Sequence, residues 1–573
     1  MQSFETAPSS SLAPSTVSFT LDGTDVVVAD EGSTLLEALR GPLGVRSVKD
    51  GCSPQGQCGC CTVLVDGSAR VACVTPLRRV AGRQVTTFDG IDDDVRDRWT
   101  ESFVAHGASQ CGFCSPGIVV RLETLRRKAV EPGGGLRPGA VDRALAAHLC
   151  RCTGWQTIVE AADDVLGSMC DDTRSDGTAR APVHERDLDA ASRRATLELG
   201  APQRVGTDVV AGAVGFSADT APDDALVAVR EPAGGWVVGE SVTAARRAMG
   251  KVQGRRTTIE ASPPVAMPDG EFTVTLRTSW VDAAYVETDA SWCVPGGEPS
   301  PAAANGGAFG AKRHSPVPAA ARELAQEHGR PVLALWSRED CCRWAPKRPP
   351  MAAGIRADGS GIVHVVRTEG IVERITSVLP GIEVVEVDLA GPPTSVDLRA
   401  AGWAEAVVLA AGAQSKGIEL GSDRVVASAV GDGMERVEVR TDDGAVTSVT
   451  VGDDGIAVRV TAGEVLDAVV LRSYCIGAVH MALGWVRSEG LAVDTDGEVL
   501  DLTVRSLGVL RSSDLPHVEV EIVDADGPAV AVSDAVFAAT AAAEWRRAGC
   551  ASDWPIRVGG QDIVGQDLGR QGR

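Results

Sequence analysis

The stretch KDGCSPQGQCGCCTVLVDG, residues 49–67, decides how the first part of the chain folds. Four cysteines lie within ten residues, among glycines and polar side chains. Thiols at that density rarely serve only to fill a core. The choice lies between a disulfide staple, a zinc site and a site that carries electrons, and the rest of the sequence helps to decide among these three.

The composition is that of an ordinary but acidic globular protein. The chain has 573 residues, of which 44% are hydrophobic and 23% charged, and its net charge is −23. This balance argues against binding to a nucleic-acid backbone, which requires clustered Lys and Arg. No apolar run reaches the roughly 18–20 residues of a membrane helix. Residues 1–15 carry no secretion signal, and we predict that they form a disordered tail.

The absence of an export signal predicts a cytoplasmic location. In that reducing compartment, cysteine clusters serve metal binding or catalysis more often than disulfides. The chain has 15 cysteines, an odd number, so complete internal disulfide pairing is impossible.

The first cysteine group has the spacing of an iron–sulfur loop. Cys52, Cys58, Cys61 and Cys73 form C-x5-C-x2-C-x11-C, which resembles the plant-type ferredoxin run C-x4-C-x2-C…C. The interspersed glycines let the backbone wrap closely round an inorganic cluster and point N–H groups at its sulfides. Cys60 is predicted to face away from its neighbours in an extended loop and to bind no metal.

The second cysteine group consists of two close pairs. Cys111 and Cys114 form C-x2-C, and Cys150 and Cys152 form C-x-C after 35 intervening residues. Each pair can bring two sulfurs to one centre, and four thiolates suit either a zinc ion or an iron–sulfur cluster. Spacing alone leaves both open for this group, whereas the glycine-rich wrap favours a [2Fe–2S] cluster for the first.

The remaining patterns predict an α+β chain with several domains. Residues 16–91 alternate like strands and contain one short helical run, which suggests a small β-grasp domain. Residues 92–167 carry apolar side chains at helical spacings. Residues 168–195 are polar and charged and predict a linker, and residues 196–573 return to mixed strand and helix patterns, with room for two subdomains.

Three segments resemble the iron–sulfur portion of the xanthine dehydrogenase family of molybdenum hydroxylases, which includes aldehyde oxidoreductases: GQCGCCTVLVDG, SQCGFCSPGIV and HLCRCTGWQTIVEA. The resemblance covers about residues 16–167. It implies a ferredoxin-like domain and then a four-helix domain, each holding one [2Fe–2S] cluster. The implied ligands are Cys52, Cys58, Cys61 and Cys73 for an outer cluster, and Cys111, Cys114, Cys150 and Cys152 for an inner one. The first spacing is one residue longer than the family's x4, which shifts the loop without forbidding ligation.

The resemblance also implies a molybdopterin. Residues that match Gln110 and Cys152 lie against the pterin in that family. In the second half, ANGGAFGAKR resembles the glycine-rich stretch of the molybdenum-binding subunit, and SYCIGAVHMALGW and SSDLPHVEVEIVD resemble later segments of it. The glycine-rich match predicts further pterin contacts at Gly306, Gly307, Phe309 and Gly310. Without that context the same residues would indicate only a turn between a strand and a helix.

The family's catalytic base is an acidic residue before a late alanine-rich helix, and Asp534 lies nearest to that place. A carboxylate there could take a proton from a metal-bound water or hydroxide. The competing interpretation, which we favour, is that Ser533 and Asp534 cap the helix.

The sequence therefore predicts a shortened, fused hydroxylase. By resemblance it would oxidise an aldehyde or an N-heterocycle with oxygen from water, and two [2Fe–2S] clusters would pass the electrons outward. No flavin domain fits into the roughly 30 residues of the linker, so the acceptor would be a separate flavin subunit or another electron carrier, in a homodimer or hetero-oligomer. The alternative is a non-catalytic electron-transfer or scaffold subunit of a larger complex, and a zinc-stapled binding protein is a further one.

Overall fold

A computed structural model describes residues 15–52, 54–130, 135–167, 186–250, 252, 254–256, 259–431 and 433–556. The predicted tail lies outside the described residues except for residue 15. The predicted linker lies outside them up to residue 185.

The first domain is a five-stranded sheet with one short helix, in agreement with the ferredoxin-like prediction. Its elements are β1 (Thr16–Leu21), β2 (Thr24–Ala29), α1 (Leu35–Arg40), β3 (Thr62–Val65), β4 (Ser68–Val71) and β5 (Gln84–Thr86). The strand order is β2-β1-β5-β3-β4, with β1 parallel to β5 and the other neighbours antiparallel. Asp22 and Gly23 join β1 to β2 with φ angles of 48° and 83°, which suit a two-residue hairpin. The cysteine loop connects α1 to β3, and Cys73 lies in a 3-10 turn directly after β4.

The second domain consists of four helices, the number that the resemblance implies. They are α2 (Asp93–His106), α3 (Ser115–Val130), α4 (Ala140–Leu145) and α5 (Gln156–Gly167). α2 packs against α5, while α3 packs against α4 and also against β3 of the first domain. Cys111 and Cys114 lie between α2 and α3, and Cys150 and Cys152 lie between α4 and α5. The loops that carry the two cysteine groups are therefore held by packed elements on both sides.

The predicted linker ends earlier than the sequence indicates, because helix α6 (Leu188–Leu199) begins inside it. Asp187 caps this helix through its side chain. One charged residue of the predicted linker is buried: Arg194 is 0% exposed, forms an ion pair with Glu198 at 3.1 Å, and donates to the carbonyl of Val465.

The rest of the C-terminal half contains four further sheets among its described residues. The strands are β6 (Leu226–Arg230), β7 (Trp236–Gly239), β8 (Val274–Arg277), β9 (Val281–Asp282), β10 (Ala290–Cys293), β11 (Val332–Leu335), β12 (Lys347–Arg348), β13 (Met351–Ile355), β14 (Gly361–Val366), β15 (Glu383–Val387), β16 (Val425–Gly431), β17 (Met434–Arg440), β18 (Val446–Val451), β19 (Ile456–Thr461) and β20 (Val518–Val523). Their orders are β10-β11-β6-β7, β12-β9, β15-β14-β13-β8 and β16-β17-β18-β19-β20. The mixed sheets agree with the predicted α+β class.

Nine helices accompany these sheets in the described part of the half after α6. They are α7 (Thr207–Val210), α8 (Ser217–Thr220), α9 (Val242–Met249), α10 (Val317–His328), α11 (Arg338–Trp344), α12 (Ile371–Thr376), α13 (Trp403–Ser415), α14 (Ala468–Arg487) and α15 (Ser533–Arg547). α15 packs against α13, α14 and the sheet that contains β17 and β18. α6 packs against α14 and places its C-terminal end near the cysteine-bearing domain.

Helix α14 is the apolar centre of the C-terminal half. Of the described helices it alone has the length and hydropathy of a membrane span, and 89% of that segment is buried inside the protein. The apolar run in the sequence is shorter than a membrane span because Arg472 interrupts it. Its middle carries His480, which is fully buried and whose Nε2 lies 3.1 Å from the carbonyl oxygen of Leu510.

His480 should make the fold less stable as the pH falls. Burial, followed by repulsion from Arg151, lowers the pKa of His480 to about 4, whereas an unfolded histidine titrates near about 6.5. Between these values the unfolded chain binds a proton that the folded chain does not, so the free energy of unfolding decreases from about pH 6.5 down to about pH 4. At pH 5 the loss from this residue is about 2 kcal/mol, from about 1.36 kcal/mol per pH unit.

The measurement compares urea unfolding of the wild type and H480Q at pH 7.5 and pH 5. Glutamine keeps a donor for Leu510 but does not titrate, so the wild type should lose about 2 kcal/mol more than the variant. Equal losses of unfolding free energy in the wild type and H480Q would show that the pKa of His480 is not lowered in the folded protein.

Candidate metal centres

The inner quartet, Cys111, Cys114, Cys150 and Cys152, converges between the helices of the second domain. The Sγ atoms of Cys111 and Cys152 lie 3.5 Å apart, and the thiol of Cys114 is close enough to Cys150 to form a hydrogen bond with it. This hydrogen bond lowers the pKa of Cys150 to about 6, and the thiolate is the form that binds metal. The four thiols thus form two pairs, Cys111 with Cys152 and Cys114 with Cys150.

The outer quartet, Cys52, Cys58, Cys61 and Cys73, is at most 2% exposed at each residue. Cys52 is close enough to both Cys58 and Cys73 to accept their hydrogen bonds, which lowers its pKa. The backbone N–H of Gln57 points at Cys52 Sγ (3.4 Å), and the N–H of Cys73 points at Cys61 Sγ (3.4 Å). Such N–H groups stabilise thiolates and sulfides, as the glycine-rich loop predicts.

The pairwise grouping of the inner thiols favours a two-iron cluster over zinc for that quartet. One tetrahedral zinc ion holds four ligands at about 2.3 Å, which brings every two sulfurs to about 3.7 Å from each other. Across the described ranges, no three His, Cys, Asp or Glu side chains converge on a single ion position. A [2Fe–2S] core instead takes its four thiolates two to an iron. The inner quartet, with its two pairs, therefore fits the group that the sequence predicts.

The two quartets are joined by backbone contacts. The N–H of Leu149 donates to the carbonyl of Cys58 at 2.9 Å, which links a residue beside the inner quartet to an outer ligand. Gly117 in α3 lies so close to the loop that a Cβ there would be 2.6 Å from the carbonyl oxygen of Gly59. Cys60 does not face away from its neighbours as predicted. It is 1% exposed, and its thiol lies 3.8 Å from the Cys58 carbonyl oxygen.

The glycine-rich loop of the C-terminal half lies against the inner quartet, as the resemblance implies. A Cβ on Gly307 would lie 3.0 Å from Cys111 Sγ and 3.7 Å from Cys152 Sγ. The carbonyl of Gln110 accepts a hydrogen bond from the Nε2 of Gln203 at 2.5 Å. The structure thus brings the predicted pterin residues Gln110, Cys152, Gly306 and Gly307 to one place.

That place is filled by the protein's own side chains. A Cβ on Gly306 would overlap Gln203 Oε1 and lie 2.5 Å from Leu199 Cδ1, and the side chain of Gln110 donates to Ser473 Oγ at 3.0 Å. The cavity lined by Gln110 and Gln203 measures about 10 Å³, enough for one water, and the cavity lined by Gly306 and Gly307 is the site of the inner quartet itself, since Cys111, Cys114 and Cys152 also line it. Sites for small molecules span about 300–1,000 Å³. A molybdopterin does not fit this arrangement.

Phe309 and Gly310 lie on a neighbouring strained segment that the sequence analysis misses. Phe309, Arg399 and Ala400 have φ angles of 52°, 44° and 49°, in the left-handed region that costs non-glycine residues about 1 kcal/mol or more. The guanidinium of Arg399 lies 4.7 Å from the ring centre of Phe309. A Cβ on Gly310 would overlap the carbonyl oxygen of Asp397. The run DLRAAG, with no glycine at the two strained positions, gives no signal of this geometry.

Asp534, the predicted base, is a half-exposed partner of Arg399. Its carboxylate is 52% exposed and 3.3 Å from the Arg399 guanidinium, and it lines none of the cavities described above. The predicted Ser533–Asp534 cap is wrong, because the N-cap is Val532 and no side chain of this turn caps the helix. Glu198 of α6 instead caps helix α15, because its carboxylate accepts a hydrogen bond from the backbone N–H of Ser533 at 2.9 Å.

Buried ion pairs fasten the C-terminal half to the cysteine-bearing domains. Arg151, between two inner ligands, forms a double hydrogen bond with Glu489 at 2.6 Å for each contact, and both side chains are at most 5% exposed. Arg338 donates to the carbonyls of Gly51 and Val286 at 2.8 Å. Long-range pairs of this kind leave no local signal, since 338 residues separate Arg151 from Glu489.

Two sequence families match the N-terminal third of the chain. The family described as 2Fe-2S iron-sulfur cluster binding domain matches residues 19–78, and the one described as [2Fe-2S] binding domain matches residues 87–163. The first match contains the whole outer quartet, and the second contains the whole inner quartet.

Known proteins are similar to this same part of the chain. The small subunit of nicotine 6-hydroxylase from Paenarthrobacter nicotinovorans is 37% identical over 143 residues, which cover 25% of this chain and 84% of that protein. The xanthine dehydrogenase iron–sulfur-binding subunit of Escherichia coli O157:H7 is 38% identical over 134 residues, 23% of this chain and 82% of that subunit. The chain spans only 12% of the xanthine dehydrogenase of Emericella nidulans, at 38% identity over 176 residues or 28% of this chain.

The likeness in fold extends much further than the likeness in sequence. The structure of the aldehyde oxidoreductase from Desulfovibrio gigas superimposes with a TM-score of 0.62 at 14% identity, over 92% of this chain and 97% of that one. The C-terminal half therefore has the same fold as the corresponding part of that enzyme, although few of the aligned residues are identical.

Proposed function

Because the chain belongs to the xanthine dehydrogenase and aldehyde oxidoreductase family of molybdenum hydroxylases, we propose that it is an electron-transfer member with two [2Fe–2S] clusters and no hydroxylation site of its own. The observation that carries the proposal is the contact between the glycine-rich loop and the inner quartet. Gly307 lies within van der Waals reach of Cys111, where a pterin-binding chain needs a cavity.

The N-terminal residues suit electron relay. A [2Fe–2S] cluster, when bound, accepts and releases one electron at a time. The thiolates of the two quartets would hold the clusters, and the N–H groups of Gln57 and Cys73 would stabilise negative charge at the outer one. The hydrogen bond from Leu149 to Cys58 provides a short bonded route between the two loops.

The C-terminal half supports a covering role rather than a catalytic one. It places Gly307 on one side of the inner quartet and Gly477 of α14 on another, where a Cβ would overlap the carbonyl oxygen of Cys152. A separate molybdenum subunit therefore has no free approach to the inner quartet through these two faces. The half retains the fold of the catalytic region as a scaffold that shields the cluster from water.

Electrons would then be exchanged with another protein through the outer quartet. The iron–sulfur subunits that resemble this chain are, by their names, parts of larger enzymes, which supports a hetero-oligomer or a transient redox partner.

Metal analysis tests the proposal directly. The chain, produced in a host with ample molybdate and purified without oxygen, should contain about four irons, four acid-labile sulfides and less than about one tenth of a molybdenum. A molybdenum content near one per chain would overturn the proposal and restore the hydroxylase. Zinc in place of iron would exclude both the electron-transfer function and the hydroxylase function.

A further inference from the structure

The extra residue of the outer cysteine loop lies between Cys52 and Cys58, where the chain has five residues in place of four. Within this segment, Gln55, Gly56 and Gln57 form no backbone-to-backbone hydrogen bond with any residue in the described part of the chain. The main chain of the segment therefore does not fix its own position, which depends instead on side-chain contacts.

Gln55 fastens this segment to the C-terminal half. Its side-chain amide donates to Glu339 Oε1 at 2.9 Å and to the carbonyl oxygen of Leu502 at 2.7 Å, and its Oε1 accepts the backbone N–H of Val504 at 3.1 Å. Glu339 is buried, at 7% exposure. Both N–H donors and the oxygen of the amide are therefore engaged, all by partners at least 284 residues away in the sequence.

Gln57 links the same part of the C-terminal half to a ligand sulfur. Its side-chain Oε1 accepts the backbone N–H of Arg505 at 3.2 Å. Its own backbone N–H points at Cys52 Sγ, 3.4 Å away. The segment 502–505 thus contacts both glutamines, and the second of them carries the N–H group that faces the sulfur.

The other side of Cys52 is held by the C-terminal half as well. Helix α11 begins at Arg338, whose Nη2 donates to the carbonyl oxygen of Gly51 at 2.8 Å. The next residue of the helix is Glu339, the partner of Gln55. The first turn of α11 therefore contacts the loop both before and after the ligand Cys52.

An N–H group that points at a ligand sulfur favours the reduced state of an iron–sulfur cluster. Reduction adds one negative charge, which the positive end of the N–H dipole stabilises, so hydrogen bonds to the sulfurs raise the reduction potential. Cys61 receives its N–H from Cys73, in a 3-10 turn of the first domain. Cys52 receives its N–H from the segment that the C-terminal half holds. The two ligands thus differ in which half of the chain fixes this geometry.

We infer that the C-terminal half sets the reduction potential of the outer cluster through two positioning residues, Gln55 and Gln57, whose side-chain hydrogen bonds hold the Gln57 N–H against the Cys52 sulfur. The inference rests on the proposed function, because it requires a cluster at the outer quartet. It gives the C-terminal half a role beyond the covering of the inner quartet. One electron from an external donor, dithionite in the test below, enters the cluster, and no bond to the protein forms or breaks.

The test is a reductive titration of the cluster-loaded full chain with dithionite and redox mediators, followed by paramagnetic resonance. C114S, which lacks an inner ligand, shows which signal is the outer one. In Q55A the equilibrium constant for one-electron reduction of the outer cluster should fall about tenfold, which lowers its midpoint potential by about 59 mV. The constant of the inner cluster should change less than about twofold.

Q57A provides a milder variant, because it removes one hydrogen bond in place of three. It should lower the outer potential in the same direction, and it decides the question if Q55A does not load its outer cluster. Pulsed paramagnetic resonance of the reduced outer centre should also show a weaker coupling to exchangeable protons in both variants, since the Gln57 N–H would no longer be held at the sulfur.

The matched control is Q156A. Gln156 is half-buried like Gln55, and its side-chain amide also makes three hydrogen bonds: to Glu160 Oε1 at 3.1 Å, to the carbonyl oxygen of Val518 at 3.0 Å, and from the N–H of Val518 at 2.8 Å. It joins the second domain to the C-terminal half, so Q156A should leave the outer potential unchanged. Equal falls in Q55A and Q156A would overturn the inference, because any loosening of the two halves would then suffice.

Failure of the proposed function gives a different result. A wild-type chain that holds no outer cluster would reject the proposed function itself. Two reducible clusters, with an outer potential that neither Q55A nor Q57A moves, would leave electron transfer intact and reject only the positioning role of the two glutamines.

Discussion

Replacing Cys114 with serine is expected to leave the purified chain with one reducible [2Fe–2S] centre in place of two. Cys114 forms one of the two thiol pairs of the inner quartet, with Cys150, and a serine hydroxyl is a poor ligand for iron compared with a thiolate. The iron content should fall from about four to about two per chain. Paramagnetic resonance of the dithionite-reduced protein should retain the outer signal and lose the inner one.

The matched control is C60S. Cys60 is as deeply buried as the ligands, at 1% exposure, and lies beside Cys58. The predicted ligand sets exclude it, so this variant should keep both signals and all of its iron. Two signals in C114S, or the loss of one in C60S, would show that the eight ligands are assigned incorrectly.

The second large effect is expected from E489Q, which removes the charge that balances Arg151. Burial raises the pKa of Glu489 while Arg151 opposes that rise, and the variant leaves a buried guanidinium with a neutral partner. Breaking a buried pair of this kind costs about 3–5 kcal/mol. The free energy of unfolding in urea should fall by that amount. Iron should also be lost faster to a chelator, because Arg151 lies between the ligands Cys150 and Cys152.

A more exposed pair provides the comparison. Arg472 and Glu160 also join the second domain to the C-terminal half, at 2.6 Å, but both side chains are about a quarter exposed at 24% and 25%. E160Q should cost less than about 1 kcal/mol and should leave iron retention unchanged. Similar costs for the two variants would mean that burial of the Arg151–Glu489 pair has no energetic consequence.

The N-terminal third could be predicted from the sequence because its information is local. The spacing of Cys52, Cys58 and Cys61 within one loop reflects a ligand geometry that a short segment can satisfy by itself. The pairs around Cys111 and Cys150 are each local, and helices on either side bring them together. Family resemblance then supplied the number of helices and the assignment of ligands to clusters.

The filling of the predicted pterin site could not be predicted in this way. It depends on α6, whose residue Arg194 falls within the predicted linker although it is buried and paired with Glu198. It also depends on Gln203, which reaches Gln110 across 93 residues of sequence. No local pattern shows that a buried arginine has found carbonyl partners elsewhere in the chain, and the same limit hid the Glu198 cap of α15.

The burial of the inner quartet has a consequence for how the holoprotein is made. Gly307 lies against the sulfurs of Cys111 and Cys152, and Gly477 lies against the carbonyl oxygen of Cys152, in the first third of the chain. Iron and sulfide must therefore be delivered while those later segments are still unpacked, either during synthesis or through reopening of the C-terminal half. If the chain folded without iron and sulfide, the C-terminal half would close over an inner quartet that holds no cluster. The packing thus predicts that the inner cluster is inserted first and that the C-terminal half closes over it afterwards.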